Sequence, residues 1–317
     1  MLILYLVLNS IFMVLAFSAY ILIEQRHKDY VPIASFIVSL IFLYLYPESL
    51  NMAIVFTATL AINSMYRRKS IVSLSFFSVA ILLEFLLNFQ KSSVIPVCLS
   101  IGVGVSISLL TSSYMKKQSL SNEKARGHAH NTEIFRDLLQ IGVGIVIITM
   151  MIFWSHLLVE LILVGGMLLA IFILDLIALY ETMKISKLVS RMERDNVKPG
   201  YGTLWFIAGL MLLISLSPQW KLVEIGVFAM AIGDSLATIG GLKMGIKKLF
   251  YNRKKSIGGF ISMLIPTAIF AFIVLGPSYI FVAVLVTILE SVSGYPLDDN
   301  FTIPSGVIIG NLILSVL

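Results

Sequence analysis

The sequence predicts an all-α integral membrane protein, a polytopic helical bundle of about 11–12 transmembrane helices. Three observations predict it. Hydrophobic residues make up 58% of the 317 and charged ones only 13%, where soluble chains carry roughly a quarter charged residues. Mean hydropathy is +0.97. The apolar residues gather in continuous runs of spanning length instead of alternating, which excludes both a water-soluble enzyme and an outer-membrane barrel. The single cysteine, Cys98, lies inside such a run. It permits no intrachain disulfide and supports no cysteine-based metal site.

The first run, 2–23, has no basic residue before it and no small-residue cleavage pattern after it, so it reads as a membrane helix and not as a cleaved signal. Further runs follow at 31–46, 50–65, 71–89, 94–115, 138–155, 157–180, 202–217, 221–242, 257–275, 278–290 and 304–317. The second and third are short and flank Pro47 and Glu48; they are either two thin spans or one re-entrant hairpin, and both give the same parity. Lys and Arg number two, three, five, five and six in the segments 24–30, 66–70, 116–137, 181–201 and 243–256, whereas the alternate gaps hold only Lys91 and Lys221. This is the positive-inside pattern. It places the N-terminus outside or in a lumen, and the five basic loops, with 291–303, in the cytosol. The net charge of +6 is therefore mostly a topology code, with attraction to anionic lipid or phosphate second and no nucleic acid implied.

Only 116–137 has a soluble composition. It reads as a cytosolic linker between accessory membrane helices (1–115) and a C-terminal membrane domain (138–317) whose spans are rich in polar residues. Acids inside spans are costly and are functional candidates by default. Glu160 and Glu224 sit near outer helix ends, where snorkelling explains them; Glu84 serves either an interhelical hydrogen bond or a role. Asp175, Asp234 and Glu290 fall in the cytosolic halves of their helices, and the adjacent loops add Glu193, Asp195, Lys254, Lys255, Asp298 and Asp299. Carboxylates that hold a divalent metal beside lysines and backbone amides that hold phosphates need this kind of convergence.

Three patterns stand out. Asp234, Thr238, Gly241 and Gly245 lie at i, i+4, i+7 and i+11, one small, polar helical face with Lys243 close by; it is a nucleotide site or, for the glycines, a packing seam. Arg253-Lys254-Lys255-Ser256-Ile257-Gly258-Gly259 is a basic turn at the mouth of a helix, either an anion site or a cytosolic anchor, and is not a Walker loop. Glu290 precedes an oxygen-rich Asp298-Asp299-Asn300 turn suited to Mg2+.

Together these patterns resemble the signature of the dolichol kinase and polyprenol kinase group of membrane proteins, which phytol kinases share and to which phosphatidate cytidylyltransferases carry a related one. The resemblance rests on 234–245, on Lys255-Ser256-Ile257-Gly258-Gly259 and on Glu290 followed by Asp299-Asn300-Phe301-Thr302-Ile303-Pro304. Upstream, Lys198-Pro199-Gly200-Tyr201-Gly202 and Arg136-Asp137-Leu138-Leu139-Gln140-Ile141-Gly142-Val143-Gly144 are similar to two further elements. It covers about 130–317. Gly258 stands where the family usually has Glu, Asp137 where it has Lys and Gln140 where it has His. The resemblance implies CTP-dependent phosphorylation of a long-chain isoprenoid alcohol, dolichol or polyprenol, at the cytosolic face. The expected roles are Asp234, Asp299 and Asp298 on Mg2+, and Lys255, Lys254 and Lys243 on the triphosphate. Ser256, Gly241, Gly245 and Gly259 complete the nucleotide site, and Glu290, Asp175 or Glu193 orients or deprotonates the hydroxyl. The competing readings are a cytidylyltransferase making a CDP-activated lipid, a transporter and a non-catalytic relative.

Overall fold

The computed structural model describes residues 2–24, 30–45, 51–66, separate positions between 73 and 110, 130–179, 201–244, 247–294 and 298–316. Among the described residues every regular element is a helix, and an isolated β-bridge joins Lys248 to Ser256. The elements are α1 (Leu2–Glu24), α2 (Tyr30–Leu45), α3 (Met52–Tyr66), α4 (His130–Phe153), α5 (His156–Leu179), α6 (Tyr201–Leu216), α7 (Trp220–Met244), α8 (Ile257–Leu275), α9 (Ile280–Val292) and α10 (Asp299–Val316). Among the described residues five windows are long and apolar enough to cross a membrane, Ile3–Tyr20, Arg136–Phe153, Trp220–Met244, Ile257–Leu275 and Asp299–Val316, and shorter apolar helices accompany them. The chain is an all-α, multi-pass membrane protein.

The chain forms two compact units, one from residues within 1–124, 164–190 and 198–204, the other from residues within 125–163, 191–197 and 205–317. Two differences from the sequence reading follow. Residues 130–137, expected in a linker, form the first turns of α4, and α5 is divided, its residues from Val164 onward belonging to the first unit.

In the first unit α3 is the centre. Its residues from Met52 to Ala61 are buried on every side, as a helix apolar all round must be. Asn9 of α1 accepts from the Ala53 N–H at 3.1 Å, which satisfies one of the donors a helix start leaves orphaned. Phe17, Phe36 and Phe56 form an aromatic cluster around it.

In the second unit α7, α8, α9 and α10 pack as successive neighbours, with α4 against the middle of α7. The periodicity of α8 shows how a lipid-facing helix is built. Gly259, Met263, Thr267 and Ala271 are buried at intervals of four, while Ile261, Ile265, Ile269 and Phe272 are exposed on the opposite stripe. Small residues face the protein because backbone proximity, and not water exclusion, drives helix association in lipid. α8 ends at Gly276, whose φ of 96° only glycine adopts without strain.

Candidate active site

Among the described residues, one group of acids closes to metal-binding distance. Asp234, Glu290 and Asp299 each offer a carboxylate oxygen within 4.8 Å of the others. They come from three helices: Asp234 from the middle of α7, Glu290 from the last turn of α9, and Asp299 from the first turn of α10. Lys255, from the loop between α7 and α8, reaches into the group. Its ammonium donates to Glu290 Oε1 and, at 3.1 Å, to Asp299 Oδ2.

Local chemistry explains why Lys255 is there. The Leu249 N–H donates to the Lys255 carbonyl at 3.0 Å, Ile257 N–H to the Lys247 carbonyl at 3.0 Å and Lys255 N–H to the Asn252 carbonyl at 3.1 Å, so the basic loop folds back on itself. Asn252 Nδ2 then donates to the carbonyls of Ser291 at 3.0 Å and Ser293 at 3.2 Å, and the Tyr251 hydroxyl meets Ser291 Oγ at 2.7 Å. These contacts satisfy carbonyls at the end of α9, where an α-helix lacks internal donors. They tie the loop beside Glu290. Ser293 adds a hydroxyl against the Asp299 carboxylate and 2.6 Å from the Glu290 carbonyl.

Lys255 remains charged in this setting. Burial alone would pull its pKa down, but the carboxylates of Asp299, Glu290 and Asp234 outweigh burial and hold it above the usual lysine range.

The glycines and Ser256 do structural work. Ser256 is the N-cap of α8, its Oγ accepting from the Gly259 N–H at 3.1 Å. A Cβ on Gly259 would lie 2.6 Å from the Ala237 carbonyl oxygen, one on Gly240 would lie 2.1 Å from Ser262 Oγ, and one on Gly241 would meet Ser256 Oγ at 3.3 Å. These glycines form the α7–α8 crossing. Gly258 belongs to it as well, since a Cβ there would sit 2.7 Å from the Met244 carbonyl oxygen. A glutamate at this position therefore collides with backbone. Gly258→Glu is expected to cost about 1–3 kcal/mol by overpacking, seen as a midpoint several degrees lower in thermal unfolding of the detergent-solubilised protein. An unchanged midpoint would show that the crossing has room to spare.

The other expected site residues are not among the four that converge in the described structure. Lys243 and Lys254 are exposed, the latter donating its N–H to Asn252 Oδ1 at 3.2 Å. Asp298 is outside the acidic group; its Oδ1 accepts from Asn300 N at 3.1 Å and Asn300 Nδ2 at 2.9 Å, and its carbonyl accepts from Phe301 and Thr302 N–H, so it caps α10. Asp175 lies in the part of α5 that belongs to the first unit. Glu193 and Gly245 lie outside the described residues. Tyr251, Asn252 and Ser293, which build the site's frame, carry no motif signal; the basic loop's aromatic and amide residues are the one hint.

No protein-family model matches the chain, and no solved structure matches it. It is similar to an uncharacterized protein of Methanocaldococcus jannaschii, 29% identical over 174 residues, covering 54% of this chain and 88% of that one. It is also similar to a probable chloroplastic phytol kinase of Glycine max, 30% identical over 132 residues, covering 35% of this chain and 43% of the plant protein. The match thus spans less than half of the plant protein's length, and the likeness reaches a phytol kinase-like group at a distance.

Proposed function

We propose that this chain is a CTP-dependent kinase that phosphorylates a long-chain isoprenoid alcohol, a dolichol or polyprenol, at the cytosolic face of its membrane. The observation that carries the reading is the convergence of Asp234, Glu290, Asp299 and Lys255 within one helical unit of apolar exterior. When all are ionised, three carboxylates against one ammonium leave two negative charges over, a deficit that a divalent cation matches. Oxygen donors alone favour a hard ion such as Mg2+ over a softer metal. Similarity to a probable phytol kinase supports an isoprenoid alcohol as acceptor. The basic residues of the alternate loops support the cytosolic face.

In this reading Asp234 and Asp299 hold Mg2+, which when bound neutralises charge on the transferring phosphoryl group. Lys255 neutralises the triphosphate with help from the exposed Lys243 and Lys254. Glu290 keeps Lys255 in place and presents its other oxygen to the alcohol hydroxyl. The hydroxyl oxygen bonds to the γ-phosphorus as its proton passes to the free Glu290 oxygen, the bond from the γ-phosphorus to the β–γ bridging oxygen breaks, and CDP leaves with that oxygen. Such transfer asks for alignment and charge neutralisation more than for a strong base. The alcohol's tail stays in the bilayer while the nucleotide arrives from water.

Incubation of the purified protein with γ-labelled CTP and a panel of prenols, dolichols and phytol should give a labelled lipid phosphate and free CDP. Release of pyrophosphate with a phosphatidate acceptor would replace the kinase by a cytidylyltransferase. Solute flux in proteoliposomes without nucleotide turnover would replace it by a transporter.

A further inference from the structure

The helix that carries Asp234 is not regular. From Phe228 to Gly233 its backbone widens into a π-turn, a rare form that recurs at functional positions. In an α-helix the Asp234 N–H would donate to the Met230 carbonyl, four residues back. Here it donates to Ala229, five residues back. The Met230 carbonyl accepts instead from Gln140 Nε2 of α4 at 2.7 Å. Four residues further along the same face of α4, Gly144 lies so near that a Cβ added to it would be 2.4 Å from Ala231 Cβ. α4 therefore holds residues 230 and 231 together, one by a donor and the next by a groove.

Both flanks of the turn are fixed. At its first residue, Phe228 stacks on Phe270 with centroids 4.2 Å apart and planes at 9°, and just upstream a Cβ on Gly226 would lie 2.2 Å from a Leu213 methyl. Downstream lies the glycine crossing with α8. The π-turn takes up one residue more than an α-helix, so closing it would rotate Asp234 by about 100° relative to Trp220–Val227. A rotation of that size removes the carboxylate from the face shared with Glu290 and Asp299.

We propose that Gln140 is a positioning residue: by taking the carbonyl that the π-turn releases, its amide fixes the helical phase in which Asp234 meets Asp299 and Glu290. The consequence for catalysis rests on the kinase reading; the consequence for geometry does not. A side-chain N–H donor is the requirement, so histidine, which the resembled family carries here, serves where glutamate does not.

Thiol cross-linking tests the geometry without any turnover. In a Cys98→Ser background, Asp234→Cys with Asp299→Cys sets two thiols where the carboxylates converge, and mass spectrometry follows their disulfide. Cross-linking should be fast with Gln140, about tenfold slower with Gln140→Ala or Gln140→Glu, and fast again with Gln140→His. Equal rates in Gln140→Ala and the parent overturn the proposal. Should Gln140→Ala fail to fold, equal rates in Gln140→His and Gln140→Glu overturn it. In the chain with native acids, Gln140→Ala should lower kcat about tenfold with KM for CTP little changed, and Gln140→His should restore it. A parent that cross-links in a Gln140-dependent way yet transfers no phosphate supports the positioning role and sinks the kinase reading alone.

Discussion

Asp234→Ala and, separately, Asp299→Ala are expected to lower prenol phosphorylation by about a thousandfold while the detergent-solubilised protein stays folded. The loss is large because each carboxylate is one of three that converge, and removing one leaves too few oxygen ligands to hold a hard cation against water. The fold survives because α7 is held by its glycine crossing with α8 and by the Phe228–Phe270 stack, not by the carboxylate. Lys255 also keeps an acidic partner in either variant. Asp298→Ala is the control. It removes a cap, worth ~1 kcal/mol of helix stability, and should leave most of the turnover. Label transfer from γ-labelled CTP and thermal unfolding measure the two effects; near-normal turnover by Asp234→Ala would end the assignment.

Lys255→Met should be the most destabilising of the site substitutions. Its ammonium answers Glu290, whose side chain is 2% exposed, and Asp299 at 17% exposed. Removing the cation from such a pair costs about 3–5 kcal/mol, because the acids are left buried and mutually repelling. The loss appears as a lower denaturant midpoint. Excess Mg2+ should raise that midpoint more in Lys255→Met than in the parent, since a divalent cation supplies the missing charge; equal shifts would detach Lys255 from the proposed metal site. Lys255→Arg should keep most of the stability and lose most of the turnover, its planar fork replacing a compact ammonium.

The helices were legible because length and apolarity suffice to define a span, and α8 coincides with its expected run, 257–275. The start of α4 at His130 was not, because its first turns carry Asn131, Glu133, Arg136 and Asp137 and so look like linker to a hydropathy reading. Asp234, Lys255, Glu290 and Asp299 stood out as candidates because ionisable residues within or beside spans are rare. Choosing between the neighbours Asp298 and Asp299 needed the start of α10, since a one-residue shift at a helix N-terminus separates a cap from an inward side chain. The π-turn left no trace in the spacing of apolar residues. The basic loop is anchored by Tyr251 on the Ser291 hydroxyl and by Asn252 on the Ser291 and Ser293 carbonyls, some 40 residues away along the chain, which no local pattern encodes.

That separation has a bearing on how the protein is made. Helices enter a bilayer as individual spans before they assemble, so Asp234 is inserted before Glu290, Asp299 and their frame exist. An aspartate near mid-helix costs roughly 3 kcal/mol at that stage. α7 itself offsets most of this burden, with a mean hydropathy of 1.7 over its most apolar 18-residue window and with Leu222, Val223, Ile225, Val227 and Phe228 each returning up to about half a kcal/mol. The greasy half of α7 is thus an insertion device for the acid it carries, and polar substitutions there would cause loss at the translocon, well before any effect on the assembled protein.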